Sequence, residues 1–141
     1  MTDRSWCEID LDTIKRNCKN IQCGLYSHQS IMAVVKANAY GHGDIEVSKA
    51  LSEIGIKSFA VSNIDEAIRL RKAKIDGQIL VLGYTSPSRF DELICYNIEQ
   101  SVISKEYAQA IIDSGKRLTV HIAIDTGMRR IGFDFNEVEN Y

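Results

Sequence analysis

The sequence has 141 residues, of which 45% are hydrophobic and 26% are charged, the balance of a soluble globular domain with its own core. A formal net charge of −2 disfavours broad electrostatic attraction to nucleic acid or acidic membranes. No window approaches the ~18 apolar residues of a membrane span, and residues 1–5 lack the layout of a secretory signal. We therefore expect a cytoplasmic protein that binds neither nucleic acid nor membrane.

Neither the cysteines nor the histidines indicate a metal site. None of the four cysteines forms a C-x-x-C pair, and the three histidines lie far apart in the sequence. We predict reduced thiols with structural roles. His121 alternates with apolar neighbours, so we predict that it lies in a core or lines a barrel.

The chain alternates short apolar runs with stretches of helical periodicity. A first helix is predicted over 12–27, with Asp10 or Asp12 as its start signal. The continuous apolar run 31–35 is typical of a strand buried on both faces. The later elements are a helix ending at Gly55, a strand at 58–61, a helix opened by the capping-box pair Asn63 and Glu66, a strand at 79–82, a short helix after Ser86 and Pro87, a strand at 98–103, a helix from Ser104 to Gly115, and a strand at 118–124.

This order predicts an α/β fold in one domain. Strands that recur every ~20–27 residues with helices between them favour parallel pairing and right-handed crossovers. Two architectures fit: an open doubly wound sheet, or part of a (β/α)8 barrel. A complete barrel needs about 250 residues and eight strands. With about five parallel strands and intervening helices, the chain would form a partial (β/α)8 TIM-type barrel.

Lys36 directly follows the first apolar run, at the predicted carboxyl end of a strand. Active sites of β/α barrels lie at that end. A partly desolvated lysine amine becomes a usable nucleophile towards a carbonyl group. Tyr40 adds a phenol that can donate to an anion, and Gly41 and Gly43 allow close approach of the backbone to a ligand. By spacing alone, a solvated loop lysine remains the alternative.

A second candidate segment, residues 125–132, follows the fifth predicted strand and so lies at the same end of the sheet. It contains Arg129 and Arg130, whose planar guanidinium groups suit carboxylate recognition. In a barrel, strands one and five lie on opposite sides, so an arginine here could reach across a ligand held by Lys36. The alternative is a solvated pair of arginines at a loop tip, and spacing does not choose between them.

Three segments resemble the alanine racemase family, the fold-type III pyridoxal-phosphate enzymes. They are residues 33–43 (AVVKANAYGHG), which resemble the cofactor-lysine motif, residues 6–12 (WCEIDLD), and residues 125–132 (DTGMRRIG). The three segments occur in the family's order along the whole chain. The resemblance implies a partial TIM-type barrel that uses pyridoxal 5'-phosphate to racemise a small amino acid.

The resemblance also implies roles for individual residues. Lys36 matches the lysine that holds the cofactor covalently and acts as the base on the D-enantiomer. Tyr40 matches the tyrosine that hydrogen-bonds the cofactor phosphate. Arg130, rather than Arg129, matches the arginine that contacts the cofactor's phenolic oxygen and the substrate carboxylate. Racemisation needs proton transfer on both faces, and in the family a tyrosine from the second subunit of a homodimer supplies the other face.

Several parts of the family's machinery have no counterpart in these residues: the later strands, the arginine at the pyridine nitrogen, most of the phosphate cradle and the C-terminal β-domain. We therefore expect residues 1–141 to be the N-terminal part of the barrel domain, from a truncation, a proteolytic fragment or a partial gene. We expect no racemisation by this chain alone. The parent enzyme would convert L-alanine to D-alanine for peptidoglycan in the bacterial cell wall.

Three alternatives remain open at this point. The chain could derive from a serine or broad-specificity amino-acid racemase, since these share the fold and similar motifs. It could be a non-catalytic carrier or fragment that binds pyridoxal phosphate. It could also assemble with a partner chain that supplies the rest of the barrel.

Overall fold

The computed structural model describes residues 5–135, in which short strands alternate with helices. The helices are α1 (Leu11–Cys23), α3 (Asp44–Glu53), α4 (Ile64–Lys72), α5 (Phe90–Cys95), which a 3₁₀ turn at Pro87–Arg89 precedes, and α6 (Lys105–Asp113); the short segment α2 (Lys36–Tyr40) is a turn whose last four residues have positive φ angles. The strands are β1 (Ala33–Val34), β2 (Ser58–Val61), β3 (Gln78–Val81), β4 (Glu99–Val102), β5 (Val120–Ile122), β6 (Ile124–Asp125) and β7 (Phe133–Asp134).

The order of the strands separates the two architectures that the sequence leaves open. Strands β1 to β5 form one sheet in the order β1-β2-β3-β4-β5, and every neighbouring pair is parallel. A doubly wound sheet reverses its strand order at a switch point, whereas a barrel adds each strand beside the previous one. Right-handed crossovers between neighbours then place the helices on one face. The sequential order agrees with part of a barrel and excludes a doubly wound sheet.

The hydrophobic core lies between one face of this sheet and the helices. Alternate strand residues point to this face, and four of them have 0% exposure: Phe59, Val61, Ile79 and Val81. Helix residues such as Ala67 and Leu70 belong to the same buried cluster. Burial of each large apolar side chain stabilises the fold by about 1.5–3 kcal/mol. Packing on this face therefore holds the strands in place and, with them, the residues at their carboxyl ends.

The opposite face of the sheet is partly open. Val34 lies on it, in register with Ala60 of the neighbouring strand, and is 44% exposed. The predicted burial of the first strand on both faces is therefore wrong for Val34. The reason is that Val34 lies on an edge strand, on the face opposite the buried cluster, whereas Ala60 on the inner strand β2 is 1% exposed.

Polar side chains link four strands on this open face. The Ser58 hydroxyl donates to Gln78 Oε1 (2.8 Å), and Gln78 Nε2 donates to Glu99 Oε1 (3.4 Å). His121 Nε2 lies 2.6 Å from Glu99 Oε2. Ser58, Gln78 and Glu99 begin their strands, so this row runs near the amino ends. His121 thus lies on the face predicted for a barrel-lining residue, away from the carboxyl ends where Lys36 lies.

Helix α1 is shorter than predicted. Asp10 caps its start by accepting from the Thr13 amide (2.9 Å), and hydrogen bonds from the Thr13 hydroxyl and amide lower the pKa of Asp10. The helix ends at Cys23 because the Gly24 amide turns back to the carbonyls of Ile21 and Gln22. The residues up to 27 that were predicted as helix therefore lie outside it.

Other local signals are confirmed where their partners lie close in sequence. Asn63 and Ser104 cap α4 and α6 by accepting from the amide three residues on. Gly55, at φ 91°, follows the last turn of α3 as predicted. Ser86 makes no capping bond, and the segment after it begins as a 3₁₀ turn.

The fifth strand differs most from its prediction. It is interrupted at Ala123, and Val120, Ile122 and Ile124 are 41%, 63% and 44% exposed. These three side chains lie on the face that the helices cover in the other strands, since Val120 is in register with the buried Gln100 of β4. Residues 126–135 contain no helix that could cover it.

The exposure of the cysteines and the length of the helices bear on two of the sequence predictions. Of the four free cysteines, Cys18 is buried and Cys7, Cys23 and Cys95 are exposed, so a packing role applies to Cys18 and not to the other three. No helix within residues 5–135 is both long enough and apolar enough to cross a membrane.

Candidate active site

Lys36 lies at the carboxyl end of β1, as predicted. The preceding residue, Val35, is 2% exposed, and its amide donates to the Ala60 carbonyl of β2 (2.9 Å). Lys36 itself is partly exposed, and its ammonium group makes no hydrogen bond or ion pair within residues 5–135. A buried strand end therefore positions the backbone of Lys36 while its amine remains available to a ligand.

The four residues after Lys36 adopt a left-handed helical turn that the sequence did not predict. Their φ angles are 51°, 55°, 51° and 56° at Ala37, Asn38, Ala39 and Tyr40. Each non-glycine residue in this conformation costs about 1–2 kcal/mol relative to the right-handed one. Sequence reasoning assigned the backbone freedom to the glycines that follow, whereas the strained residues are not glycines. Such strain persists only where surrounding contacts over-determine the backbone.

Local hydrogen bonds supply part of this support. The Ala39 amide donates to the Val35 carbonyl (2.9 Å), and Ala39 is 6% exposed. Asn38 Oδ1 accepts from the Asp44 amide (3.1 Å) at the start of α3. His42 Nδ1 lies 2.9 Å from the Ala39 carbonyl oxygen. These bonds close the turn on itself and onto α3.

Glu66 supplies a contact from a distant part of the chain. Its Oε1 accepts from the Ala37 amide (2.9 Å), and its Oε2 accepts from the amide and hydroxyl of Ser62 (2.8 Å each). Partial burial raises the pKa of Glu66, but the donors of Ser62 and Ala37 and the charge of Arg69 lower it below its ordinary value. The carboxylate thus joins the loop after β1 to the loop after β2.

The contacts of Glu66 differ from the predicted capping box. Asn63 Oδ1 does accept from the Glu66 amide (3.0 Å), which is half of the motif. The Glu66 side chain, however, does not return to the Asn63 amide. The sequence signal therefore identified the residue but not its partner, because the partner, Ala37, is 29 positions away.

An ion pair with a buried carboxylate fixes the other end of the motif. Asp44, the first residue of α3, has a side chain only 4% exposed. Arg69 of α4 donates from Nε (3.0 Å) and also from Nη2 to Asp44 Oδ2. A buried carboxylate requires such a partner. Sequence reasoning missed this pair, since neither residue has a distinguishing local pattern.

Tyr40 ends the left-handed turn and is 62% exposed. Its hydroxyl makes no hydrogen bond within the part of the chain that the structure describes. The phenol is therefore free to donate to a ligand beside Lys36.

The arginine-containing segment forms a loop that is closed around Asp125. Asp125 Oδ1 accepts from the amides of Gly127 (2.9 Å) and Arg129 (3.0 Å). These amides, that of Arg129 first, lower the pKa of Asp125. The Gly132 amide donates to the carbonyl of Ile103 (2.8 Å), the residue that follows β4, which ties the end of the loop to a distant part of the chain.

Arg129 and Arg130 both have exposed side chains, and Arg129 has a positive φ of 53°. Lys36 follows β1, one edge strand of the five-stranded sheet, whereas Arg130 lies between β6 and β7, a separate strand pair that follows the other edge strand, β5. The structure thus brings Lys36 and Tyr40 together on one turn. It does not bring Arg130 into contact with either residue.

These groups suit an aldehyde-bearing, phosphorylated cofactor. A primary amine can bond an aldehyde carbon, and a phenol or a guanidinium can donate to anionic oxygens. Lys36, Tyr40 and Arg130 thus have the donor chemistry that pyridoxal phosphate and an amino-acid carboxylate require.

The fold and site together define part of a TIM-type barrel with a partly exposed lysine directly after its first strand. A family model described as "Alanine racemase, N-terminal domain" matches residues 9–141. The chain belongs to the alanine racemase family, whose members are isomerases. The predicted family and partial barrel are confirmed.

Relatives and solved structures agree with this assignment. The chain is 49% identical over 136 residues to an alanine racemase of Clostridium perfringens (94% of this chain, 35% of the relative). It is 46% identical over 132 residues to an amino-acid racemase of Enterococcus faecalis (94% and 19%). The solved alanine racemase of Clostridium difficile 630 superposes with a TM-score of 0.87 at 40% identity, covering 99% of this chain and 38% of that one. The chain thus spans between about a fifth and two fifths of the length of these proteins.

Proposed function

We propose that this chain is the cofactor-lysine part of a pyridoxal-phosphate-dependent racemase that interconverts L-alanine and D-alanine. The observation that carries the proposal is the position of Lys36. It lies at the carboxyl end of β1, on a supported turn, in a chain of the alanine racemase family. Residues 1–141 would be the N-terminal part of the barrel domain. The later strands and the β-domain would lie outside these residues.

In this proposal the Lys36 amine holds the cofactor through its aldehyde carbon. Tyr40 donates to the phosphate, and Arg130 donates to the cofactor's phenolic oxygen and the substrate carboxylate. When bound, pyridoxal phosphate supplies a conjugated ring that delocalises the electrons left by the departing α-proton.

Lys36 Nζ would take and return that proton on one face of the amino acid. Because inversion requires a second acid–base group on the opposite face, the active protein would be a homodimer in which the partner subunit supplies it. This chain alone would not racemise amino acids.

Alanine is favoured as the substrate because most of the similar relatives bear the name alanine racemase. A second candidate is racemisation of serine or of several amino acids. It is favoured by the Enterococcus faecalis relative, whose name is amino-acid racemase. A non-catalytic cofactor-binding fragment is the third candidate. In a bacterium, D-alanine made in the cytoplasm would supply peptidoglycan precursors.

Cofactor capture tests the proposal directly. The purified chain is mixed with pyridoxal phosphate, reduced with borohydride and digested, and the labelled lysine is mapped by mass spectrometry. We expect the label on Lys36, and its loss in Lys36→Arg. Lys49, an exposed lysine on α3, is the internal control for nonspecific labelling. Equal labelling of Lys36 and Lys49 would contradict the proposal.

Conversion of L-alanine to D-alanine, measured by chiral chromatography, separates capture from catalysis. We expect capture without racemisation by the 141-residue chain. Measured racemisation by the mass-verified chain would contradict the proposal that residues 1–141 alone do not racemise amino acids. Comparing alanine with serine in a longer, active form of the protein would decide between the two substrates.

A further inference from the structure

We propose that Glu66 is a positioning residue for Lys36. Its carboxylate holds the left-handed turn at residues 37–40 against the loop after β2, and so determines where the lysine lies. This inference rests on the proposed role of Lys36 as the cofactor lysine.

The turn needs support from outside itself. Each of its four non-glycine residues adopts a conformation that is disfavoured by about 5- to 30-fold relative to the right-handed one. Asn38 links the turn to the start of α3, and His42 contacts the Ala39 carbonyl within it. Neither contact reaches the amide of Ala37, the residue next to Lys36.

Glu66 provides a direct link from α4 to the residue that follows Lys36. It lies on α4, whose residues Ala67 and Leu70 have 0% exposure and pack in the core. From this rigid base, Oε1 reaches the Ala37 amide, which directly follows Lys36. A charge-assisted bond of this kind is roughly twice as strong as a neutral one. One carboxylate therefore couples the residue after Lys36 to α4, in addition to the hydrogen bond that holds Val35 to β2 on the other side of the lysine.

The capping role that the sequence suggested does not account for this side chain. Helix α4 keeps its cap without the Glu66 carboxylate, because Asn63 Oδ1 accepts from the Glu66 amide. Both carboxylate oxygens instead accept from loop groups at the carboxyl ends of β1 and β2. Removing the carboxylate should therefore release the turn while α4 remains folded.

The first test measures the turn without any cofactor. Amide hydrogen exchange of the 141-residue chain is followed by NMR for wild type, Glu66→Ala and Glu66→Gln. We expect exchange at Ala37 and Ser62 to be about tenfold faster or more in Glu66→Ala, since both amides lose a charged acceptor. Glu66→Gln should show a smaller increase, because it keeps one acceptor oxygen but presents an NH₂ group in place of the other.

Asp65→Asn is the matched control. Asp65 is the neighbouring carboxylate in the same first turn of α4, but it is exposed and pairs with Arg89 on the surface. It should leave exchange at Ala37 unchanged. If Glu66→Ala fails to fold, Glu66→Gln alone decides the outcome. Unchanged exchange at Ala37 in the folded Glu66 variants would overturn the proposal.

The second test measures the effect on the lysine. The rate of borohydride-trapped labelling of Lys36 by pyridoxal phosphate should fall severalfold in Glu66→Ala and be unchanged in Asp65→Asn. Faster exchange at Ala37 with wild-type labelling of Lys36 would overturn the positioning role. If wild type is not labelled at Lys36, the cofactor proposal fails, and the exchange measurement alone decides whether Glu66 holds the turn.

Discussion

The loop after β1 and the loop between β6 and β7 both carry candidate site residues, but they are held in different ways. The loop with Lys36 is strained and is tied to α4 by Glu66 and by the Asp44–Arg69 pair. The loop with Arg130 closes mainly around its own Asp125, and its arginines are exposed. The lysine is thus positioned by distant parts of the chain, whereas the arginine is positioned chiefly by its neighbours. A substitution in the loop with Lys36 should therefore affect contacts in the core, whereas a substitution in the loop with Arg130 should affect mainly that loop.

The largest effect is expected for Arg69→Ala. It leaves the Asp44 carboxylate buried without its partner, and we expect a loss of about 2–3 kcal/mol in the free energy of unfolding. This is below the full cost for a buried pair because the Arg69 side chain is 47% exposed. Urea denaturation measures it. Lys72→Ala, an exposed change on the same helix, should be nearly neutral, and an equal loss in both variants would contradict a special role for the pair.

A smaller effect of the opposite sign is expected for Ala37→Gly. Glycine adopts a positive φ without steric cost, so we expect the free energy of unfolding to rise by up to about 1 kcal/mol. The same change at Ala110 in α6, a right-handed helix, should lower it by about 0.5–1 kcal/mol. Thermal or urea unfolding of the two variants gives the comparison. Two losses of equal size would show that the turn is not strained.

The third prediction concerns the loop between β6 and β7. Asp125→Ala removes the acceptor for the amides of Gly127 and Arg129, so exchange at both should become severalfold faster. Exchange at Ala37 should not change, since no contact of Asp125 reaches the lysine turn. Asp125→Asn keeps an acceptor oxygen and should have a weaker effect. Faster exchange at Ala37 in Asp125→Ala would show that the two loops are coupled.

The smallest effect is a pH dependence from Glu66. Its pKa in the folded protein lies below its ordinary value of 4.5. The ionised carboxylate therefore stabilises the fold above about pH 4.5, and this contribution is lost as the pH falls through the lowered pKa. The difference in unfolding free energy between wild type and Glu66→Gln should shrink below pH 4.5. A difference that grows on acidification would contradict the assigned direction.

Much of the local structure could be predicted from the sequence. Asn63, Ser104 and Gly55 mark helix ends because each contacts backbone groups within a few residues. The segment with Lys36 was placed correctly at a strand end because apolar runs and helical periodicity are local patterns. The predicted end of α1 was wrong because Gly24 stops the helix. The fifth strand differed from its prediction because its apolar side chains remain largely exposed within residues 5–135.

The candidate site was predicted only in part. Its motif residues, Lys36, Tyr40 and Arg130, could be named because the family resemblance is carried by short contiguous segments. The residues that support Lys36 could not be found in this way. Glu66 and Ala37 are 29 positions apart, and Asp44 and Arg69 are 25 positions apart.

The sequence by itself determined the family, the alternation of strands and helices, and the lysine at the end of the first strand. Each of these depends on patterns within a few residues. The tertiary structure decided the sequential strand order, the left-handed turn after Lys36 and the partner of the Glu66 carboxylate. A left-handed turn without glycine is unfavourable on its own. It exists here because contacts between loops that are distant in sequence offset its cost, and a local pattern does not reveal such contacts.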